Sequence, residues 1–332
     1  MKMFIKILSI IIILVLITDI GASLYFYNIS VARTKKDFLA NDSALINNAA
    51  PENVNASADD VQVSAKVFSA KEVETVEIDW FNKQPYEEVQ ITSDDGLKLQ
   101  GYYLGAKDAT NKTAILAHGY SSKGIWMGSF AKIYYDLGYN ILLPDSRGHG
   151  RSEGNFIGFG WADRQDYIKW IDYIVNTIGQ DSQIVLHGVS MGGATVLMTS
   201  GEILPSAVKA IVSDCAYTSV EAELKYQLKR MYKLPSFPIL DTTSLMTKMR
   251  AGFSFKEASA LEQVKKSETP TLFIHGDADI FVPYSMVNEL YQACSSEKEL
   301  YTVKGAGHGN AFDTDVTGYK TKIKEFAAKY VK

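Results

Sequence analysis

Ile184-Val185-Leu186-His187-Gly188-Val189-Ser190-Met191-Gly192-Gly193, continued by Ala194-Thr195-Val196-Leu197-Met198, decides how this 332-residue chain is read. Strand-compatible residues run into a Gly-x-Ser-x-Gly turn, and an apolar helix-forming run leaves it. Such a strand, sharp turn and helix hold a serine hydroxyl exposed at the tip of a strained corner, as a nucleophile elbow requires. Gly188 and Gly192 lack the Cβ atoms that would clash with the strand and helix packed around the corner. The helix that follows points N–H groups and the positive end of its dipole at Ser190, which suits an anionic intermediate. A bare Gly-x-Ser-x-Gly is a common small-residue pattern, so its weight comes from what flanks it.

Outward from the corner, the chain alternates buried strands with helices. Residues 113–118 and 139–143 are nearly all apolar, as strands covered on both faces are. Further strands are expected at 184–189, 208–213, 270–275 and 299–303. Helices are expected at about 126–137, 162–178 and 283–293, with a last one from about Thr317. Upstream, 73–80, 88–92 and 97–104 alternate as half-buried strands do, and Asp94-Asp95-Gly96 marks a hairpin. The fold class is therefore α/β, a mostly parallel doubly wound sheet with an antiparallel start. About fifty residues between Tyr217 and Ser267 are too long for a simple crossover. They read as a small helical cap at about 217–267, with a surface insertion as the alternative.

The amino terminus differs from the rest. Lys2 and Lys6 precede an apolar run from Ile7 to Ile17, and apolar and aromatic residues continue to Tyr27. A membrane anchor over residues 1–30 is expected, since about 20 residues span a bilayer. Asp19 would lie near one end, and Tyr25, Phe26 and Tyr27 at the interface. A cleaved signal peptide is the alternative, with small residues at Gly21-Ala22-Ser23. The flanking charges Lys2 and Lys6 against Arg33, Lys35 and Lys36 nearly balance; the short leading tail makes an extracytoplasmic domain the default, secreted if the segment is cleaved. Residues 31–70 read as a linker, rich in Asn, Ala, Ser and Asp from 41 to 60, and 71–332 as the main domain. A net charge of -4 and the absence of a basic run interleaved with aromatics argue against nucleic acid. Cys215 and Cys294 form no metal-ligand spacing and are expected as buried free thiols.

A serine hydroxyl needs a base within hydrogen-bond reach. All five histidines, His118, His149, His187, His275 and His308, precede a glycine, so position must choose. His308 follows the last strand in a glycine-rich loop able to bring an imidazole over Ser190, and it is the expected base. Asp279, after the strand at 270–275, is the expected orienting carboxylate. Asp277 is expected to hold the turn, and Asp214 is the rival. The oxyanion needs two preorganised donors. They are expected from the N–H of Met191 and, in the loop after residue 118, the N–H of Tyr120.

These motifs resemble those of the α/β-hydrolases, in particular the membrane-anchored bacterial group related to Bem46-like and serine aminopeptidase-like hydrolases. The resemblance rests on His118-Gly119-Tyr120, Asp145-Ser146-Arg147-Gly148-His149-Gly150-Arg151-Ser152, Gly188–Gly192, Asp279 with Val282-Pro283, and Gly307-His308. The order Ser190, Asp279, His308 is also that of these enzymes. The resemblance implies a structural role for 145–152 and hydrolysis of esters, thioesters, amides or peptides without a cofactor or metal. The leading expectation is a carboxylic-ester hydrolase working through an acyl-enzyme. Its substrate would be a small ester or related acyl compound. A peptidase on short peptides would need an anchor for the substrate amino terminus, which the sequence does not place. Tyr102, Trp126, Tyr217 and the cap are candidates for an acyl pocket or for the core. A metal hydrolase and a membrane-tethered binding module are the remaining alternatives.

Overall fold

The nearly uninterrupted apolar runs become the middle of one sheet. The computed structural model describes residues 1–40, 42–46 and 80–332. In chain order, α1 is Lys2–Phe26 and α2 a helical turn at Ser43–Ile46; β1 (Glu87–Thr92) and β2 (Lys98–Leu104) follow, then β3 (Lys112–Ala117). Next come α3 (Gly128–Asp136), β4 (Asn140–Pro144), α4 (Asp163–Ile178), β5 (Gln183–Val189) and α5 (Met191–Ser200). β6 (Val208–Asp214) leads into α6 (Val220–Tyr232), α7 (Ile239–Ala251) and α8 (Ala260–Val264). The chain closes with β7 (Thr271–Gly276), α9 (Ser285–Ala293), β8 (Lys298–Val303), α10 (Ala311–Thr314) and α11 (Val316–Tyr330).

Among the described residues, eight strands form one sheet in the order β1-β2-β4-β3-β5-β6-β7-β8. β1 pairs antiparallel with β2, and β2 with β4, while every pairing from β4 through β3 to β8 is parallel. The expected antiparallel start and parallel remainder are thus present. The strand expected at 73–80 lies, up to residue 79, outside the described residues, and Trp80 opens a helical turn instead.

One core lies on each face, because the central strands are apolar on both. On one face Ile115, Leu142 and Leu186 pack with Trp170, Ile171 and Ile174 of α4. On the other, Leu116, Ile141 and Val212 pack with Tyr319, Ile323 and Phe326 of α11. α6, α7 and α8 occupy the expected cap region at 217–267.

The reading of 31–70 as a linker needs a correction at its start. Residues 42–46 carry the buried Ala44 and Leu45, Val31 and Leu39 are buried as well, and the segment lies against the domain as a strap. The N–H of Ile157 donates to the Val31 carbonyl at 2.7 Å, and that of Arg33 to the Asn155 carbonyl at 2.9 Å. The Arg33 guanidinium donates to the carbonyls of Ser152 at 2.7 Å and Gly150 at 2.8 Å. Lys36 Nζ donates to the carbonyls of Ile29 and Ala32, each at 2.8 Å. Charges that read as membrane-flanking are therefore spent on backbone carbonyls. Residue 41 and residues 47–70 lie outside the described residues.

Candidate active site

Ser190 sits where β5 turns into α5, at φ 57° and ψ −117°. This left-handed conformation is rare for a residue with a side chain and is held by its surroundings. The N–H of Ser190 donates to the Asp214 carbonyl at 2.8 Å, tying the corner to the end of β6. A Cβ on Gly192 would stand 1.9 Å from the Ala117 carbonyl oxygen, and one on Gly188 2.0 Å from that of Gly192. The corner closes only with glycine at both positions, which is why the five-residue pattern is legible in sequence.

The loops after β7 and β8 deliver the partners. Ser190 Oγ and His308 Nε2 are 2.8 Å apart. His308 Nδ1 lies 2.8 Å from Asp279 Oδ2. Ser190, the His308 ring and the Asp279 carboxylate are buried. Asp279 Oδ1 accepts the N–H groups of Phe281 at 2.8 Å and Val282 at 2.9 Å, so the carboxylate is oriented from both sides. Burial by itself raises the Asp279 pKa. The charge of His308 and hydrogen bonds from His275 and His308 outweigh it and hold the carboxyl below the usual carboxylate range. The three expected residues are thus brought into one hydrogen-bonded line.

The rival carboxylate is turned elsewhere. Asp214 Oδ2 accepts the Tyr319 hydroxyl at 2.9 Å, and burial pushes its pKa up to about 6 despite that bond. Asp277 accepts the N–H of Gly305 at 2.6 Å and fastens the two loops that carry Asp279 and His308. His187 is enclosed between the hydroxyls of Tyr134 and Tyr319, each at 3.2 Å, and burial lowers its pKa to about 3.

Tyr120 and Met191 both line the cavity at Ser190. The loop at 145–152 braces this corner from behind. His118 Nε2 accepts the N–H of Ser146 at 3.0 Å, and Asp145 Oδ1 accepts that of Gly124 at 2.7 Å. His149 Nε2 accepts the N–H of Ser121 at 3.3 Å, and burial lowers its pKa to about 3. Arg147 is buried in a pair with Asp166 at 2.7 Å.

Cys215, Asp279 and His308 bring potential metal-ligand atoms within 4.8 Å of one another. Burial, then the neighbouring Asp214 and Asp279, push the Cys215 thiol well above its ordinary pKa, and a protonated thiol is a poor ligand. The donor set suits a proton-passing line better than a cation. Cys294 is likewise buried and free.

From Ser190 a cavity open to solvent extends beneath the cap and the strap. Leu224, Leu228 and Met231 of α6 face Phe26, Ile29 and Leu39 across it. Tyr217 lines it, as one expectation had it, and its hydroxyl donates to the Phe159 carbonyl at 2.9 Å. Tyr102 and Trp126 do not. Tyr102 is buried with its hydroxyl 3.2 Å from Asp145, and Trp126 lies under the Lys123 ammonium at 4.8 Å. Two cavity groups escaped the sequence reading. The strap's apolar side chains were hidden by a composition that looked like tether. Glu223 is an acid on an amphipathic helix whose exposed face carries many charges. Its carboxyl is buried, with Oε1 accepting from Gln227 at 2.6 Å and Oε2 without a partner. Burial pushes its pKa up to about 8.

Comparison with known proteins agrees with this fold. A family model described as the alpha/beta hydrolase fold matches residues 114–253, and one described as serine hydrolase (FSH1) matches 212–309. The uncharacterized protein YqkD of Bacillus subtilis is 30% identical over 236 residues, covering 71% of this chain and 77% of that protein. Protein bem46 of Schizosaccharomyces pombe is 23% identical, covering 75% of this chain and 78% of its own length. An esterase structure from Pyrococcus furiosus superposes with a TM-score of 0.61 at 23% identity, over 76% of this chain and 96% of that one.

Proposed function

The chain belongs to the α/β-hydrolase family, and from that premise we propose that it is a membrane-anchored carboxylic-ester hydrolase acting through an acyl-enzyme on Ser190. The observation that carries this reading is the line Ser190–His308–Asp279, with contacts of 2.8 Å at each step. His308 Nε2 takes the Ser190 proton as Oγ attacks the ester carbonyl, and Asp279 stabilises the imidazolium that forms. The N–H groups of Met191 and Tyr120 receive the oxyanion. His308 then returns the proton to the leaving alcohol, and a water attacks the acyl-enzyme by the same route in reverse.

The cavity favours esters over peptides. A peptide amino terminus calls for a free carboxylate, whereas Glu223, a carboxyl at the cavity wall, is buried with Oε1 already accepting from Gln227 at 2.6 Å. The remaining wall is dominated by aliphatic and aromatic side chains, which suit an acyl chain.

In this reading residues 1–30 anchor the protein and 71–332 form the catalytic domain outside the membrane. Support for an anchor over a cleaved signal is that α1 runs unbroken through Gly21-Ala22-Ser23, with Ser23 buried against the cap.

The test is fluorophosphonate labelling of the full chain beside Ser190→Ala, with short-chain nitrophenyl ester turnover read in parallel. Both signals should vanish in the variant, on the order of 10⁶-fold in kcat. Labelling without ester turnover would move the substrate to amides. No labelling of the wild type would sink the serine mechanism.

A further inference from the structure

Residues 1–18 of α1 are exposed along their whole length, and packing begins only at Asp19. At 1.5 Å per residue that exposed stretch is roughly 27 Å long. A hydrocarbon layer about 30 Å thick takes about 20 residues. A span that keeps Lys2 at headgroup level therefore runs past Asp19, to the level where α1 already touches the cap.

The cap helix α7 lies beside that end of α1. The Thr242 hydroxyl donates to Asp19 Oδ2 at 2.6 Å, and the Arg250 guanidinium sits 4.9 Å from the Tyr27 ring centre. The Ser23 hydroxyl of α1 also donates to the Ile239 carbonyl at 3.2 Å, so the first turn of α7 lies against α1 just past Asp19. A turn at 236–238 leads into α7, and the Ser236 carbonyl accepts the Leu240 N–H at 2.7 Å. Phe237 stands in that turn, two residues before Ile239, at the end of the cap that meets α1. Its side chain is 74% exposed.

In the other direction α1 leads straight to the active site. Phe26, about 9 Å beyond Ile20 along the helix, lines the cavity, and its ring meets Tyr232 of α6 edge-on at 5.0 Å. Ile29 follows it on the same wall, opposite Leu240 of α7. The cavity wall next to α1 is thus apolar from the membrane level inward. A soluble partner protein on Phe237 would have to share this depth with lipid, so the continuity with α1 selects the bilayer as occupant.

We propose that Phe237, at the tip of the cap, is seated in the bilayer interface beside α1, and that the cavity takes its substrate from that bilayer as the fatty-acyl ester of a membrane amphiphile. The chemistry rests on the ester-hydrolase reading, and the seating rests on α1 spanning the membrane.

The experiment uses the full chain reconstituted in phosphatidylcholine vesicles. Phe237→Trp fluorescence is compared with the wild-type tryptophan background in vesicles whose acyl chains are brominated close to the glycerol. Phe237→Glu is compared with wild type on vesicle-embedded nitrophenyl palmitate and on water-soluble nitrophenyl acetate. Expected are extra quenching of the new tryptophan and a loss of about tenfold or more on palmitate with acetate unchanged. No extra quenching, unaltered palmitate turnover, or equal loss on both esters overturns the proposal. Wild type that cleaves neither ester overturns the hydrolase reading instead, and the quenching still decides the seating.

Discussion

The two halves of the active site are built on different principles. The floor, at the carboxyl edge of β5, β7 and β8, is over-determined. Ser190 is pinned by a backbone bond and by two glycines with no room for a Cβ, and Asp279 is gripped by two N–H groups. The roof, made by α6, α7 and the strap, meets the cavity mainly through aliphatic and aromatic side chains. Polar ties on that side hold the strap's backbone from outside, through Arg33, Lys36 and the Tyr120 hydroxyl on the Ser30 carbonyl at 2.7 Å. Directional bonds set the position of reacting atoms to fractions of an ångström, whereas apolar contact selects a chain by shape and length. Chemistry and specificity are thus assigned to separate parts of the chain.

That division is broken most sharply at the floor. Asp279→Asn should leave the fold intact and lower kcat on every ester by on the order of 10⁴-fold, because the amide no longer stabilises the imidazolium. A loss confined to long-chain esters in that variant would erase the distinction between floor and roof. Glu223→Gln probes the roof through pH. In the folded chain Glu223 titrates at about 8, above its ordinary 4.5, so the folded state binds the extra proton. Its contribution to stability is complete below about 4.5 and is lost as pH climbs through about 8. Wild type should lose a few kcal/mol relative to Glu223→Gln over that interval, read as diverging Tm values between pH 5 and 9. Parallel curves would show an ionised Glu223 and reopen the peptide reading.

Arg33→Ala loosens the strap without touching the cavity. Losing this donor to the exposed Gly150 and part-buried Ser152 carbonyls should cost about 1 kcal/mol. The loss should appear as a raised KM for long-chain esters, with kcat on acetate little changed. The smallest effect belongs to Glu257→Gln, which removes the exposed Lys248 pair on the cap. Chemical denaturation should register under about 1 kcal/mol and acyl preference should not move. A shift in preference there would mean that the outer face of the cap also reads the substrate.

What was legible follows the same division. Ser190 announced itself because its corner is a local constraint, satisfied by residues two positions away. Asp279 and His308 were found by their places after successive strands, since an alternating α/β chain puts those loops on one edge. The strap was missed because its partners, Asn155 and Ile157, are far away in sequence and leave no periodic trace. Arg33 and Lys36 carry the same letters whether they flank a membrane or cap carbonyls. Glu223 was invisible for a related reason: an acid on an amphipathic helix reads as solvated until its neighbours are known.

Ser23 and Ile239, which join α1 to the cap, are 216 residues apart. α1 therefore leaves the ribosome well before the cap that seats it, and until the cap follows, the wall holding Phe26 does not exist. Maturation of the enzyme is tied to the order of its synthesis. On the proposed reading, a chain that loses this helix before the cap emerges keeps Ser190, His308 and Asp279 and lacks the wall against which a long acyl chain would lie.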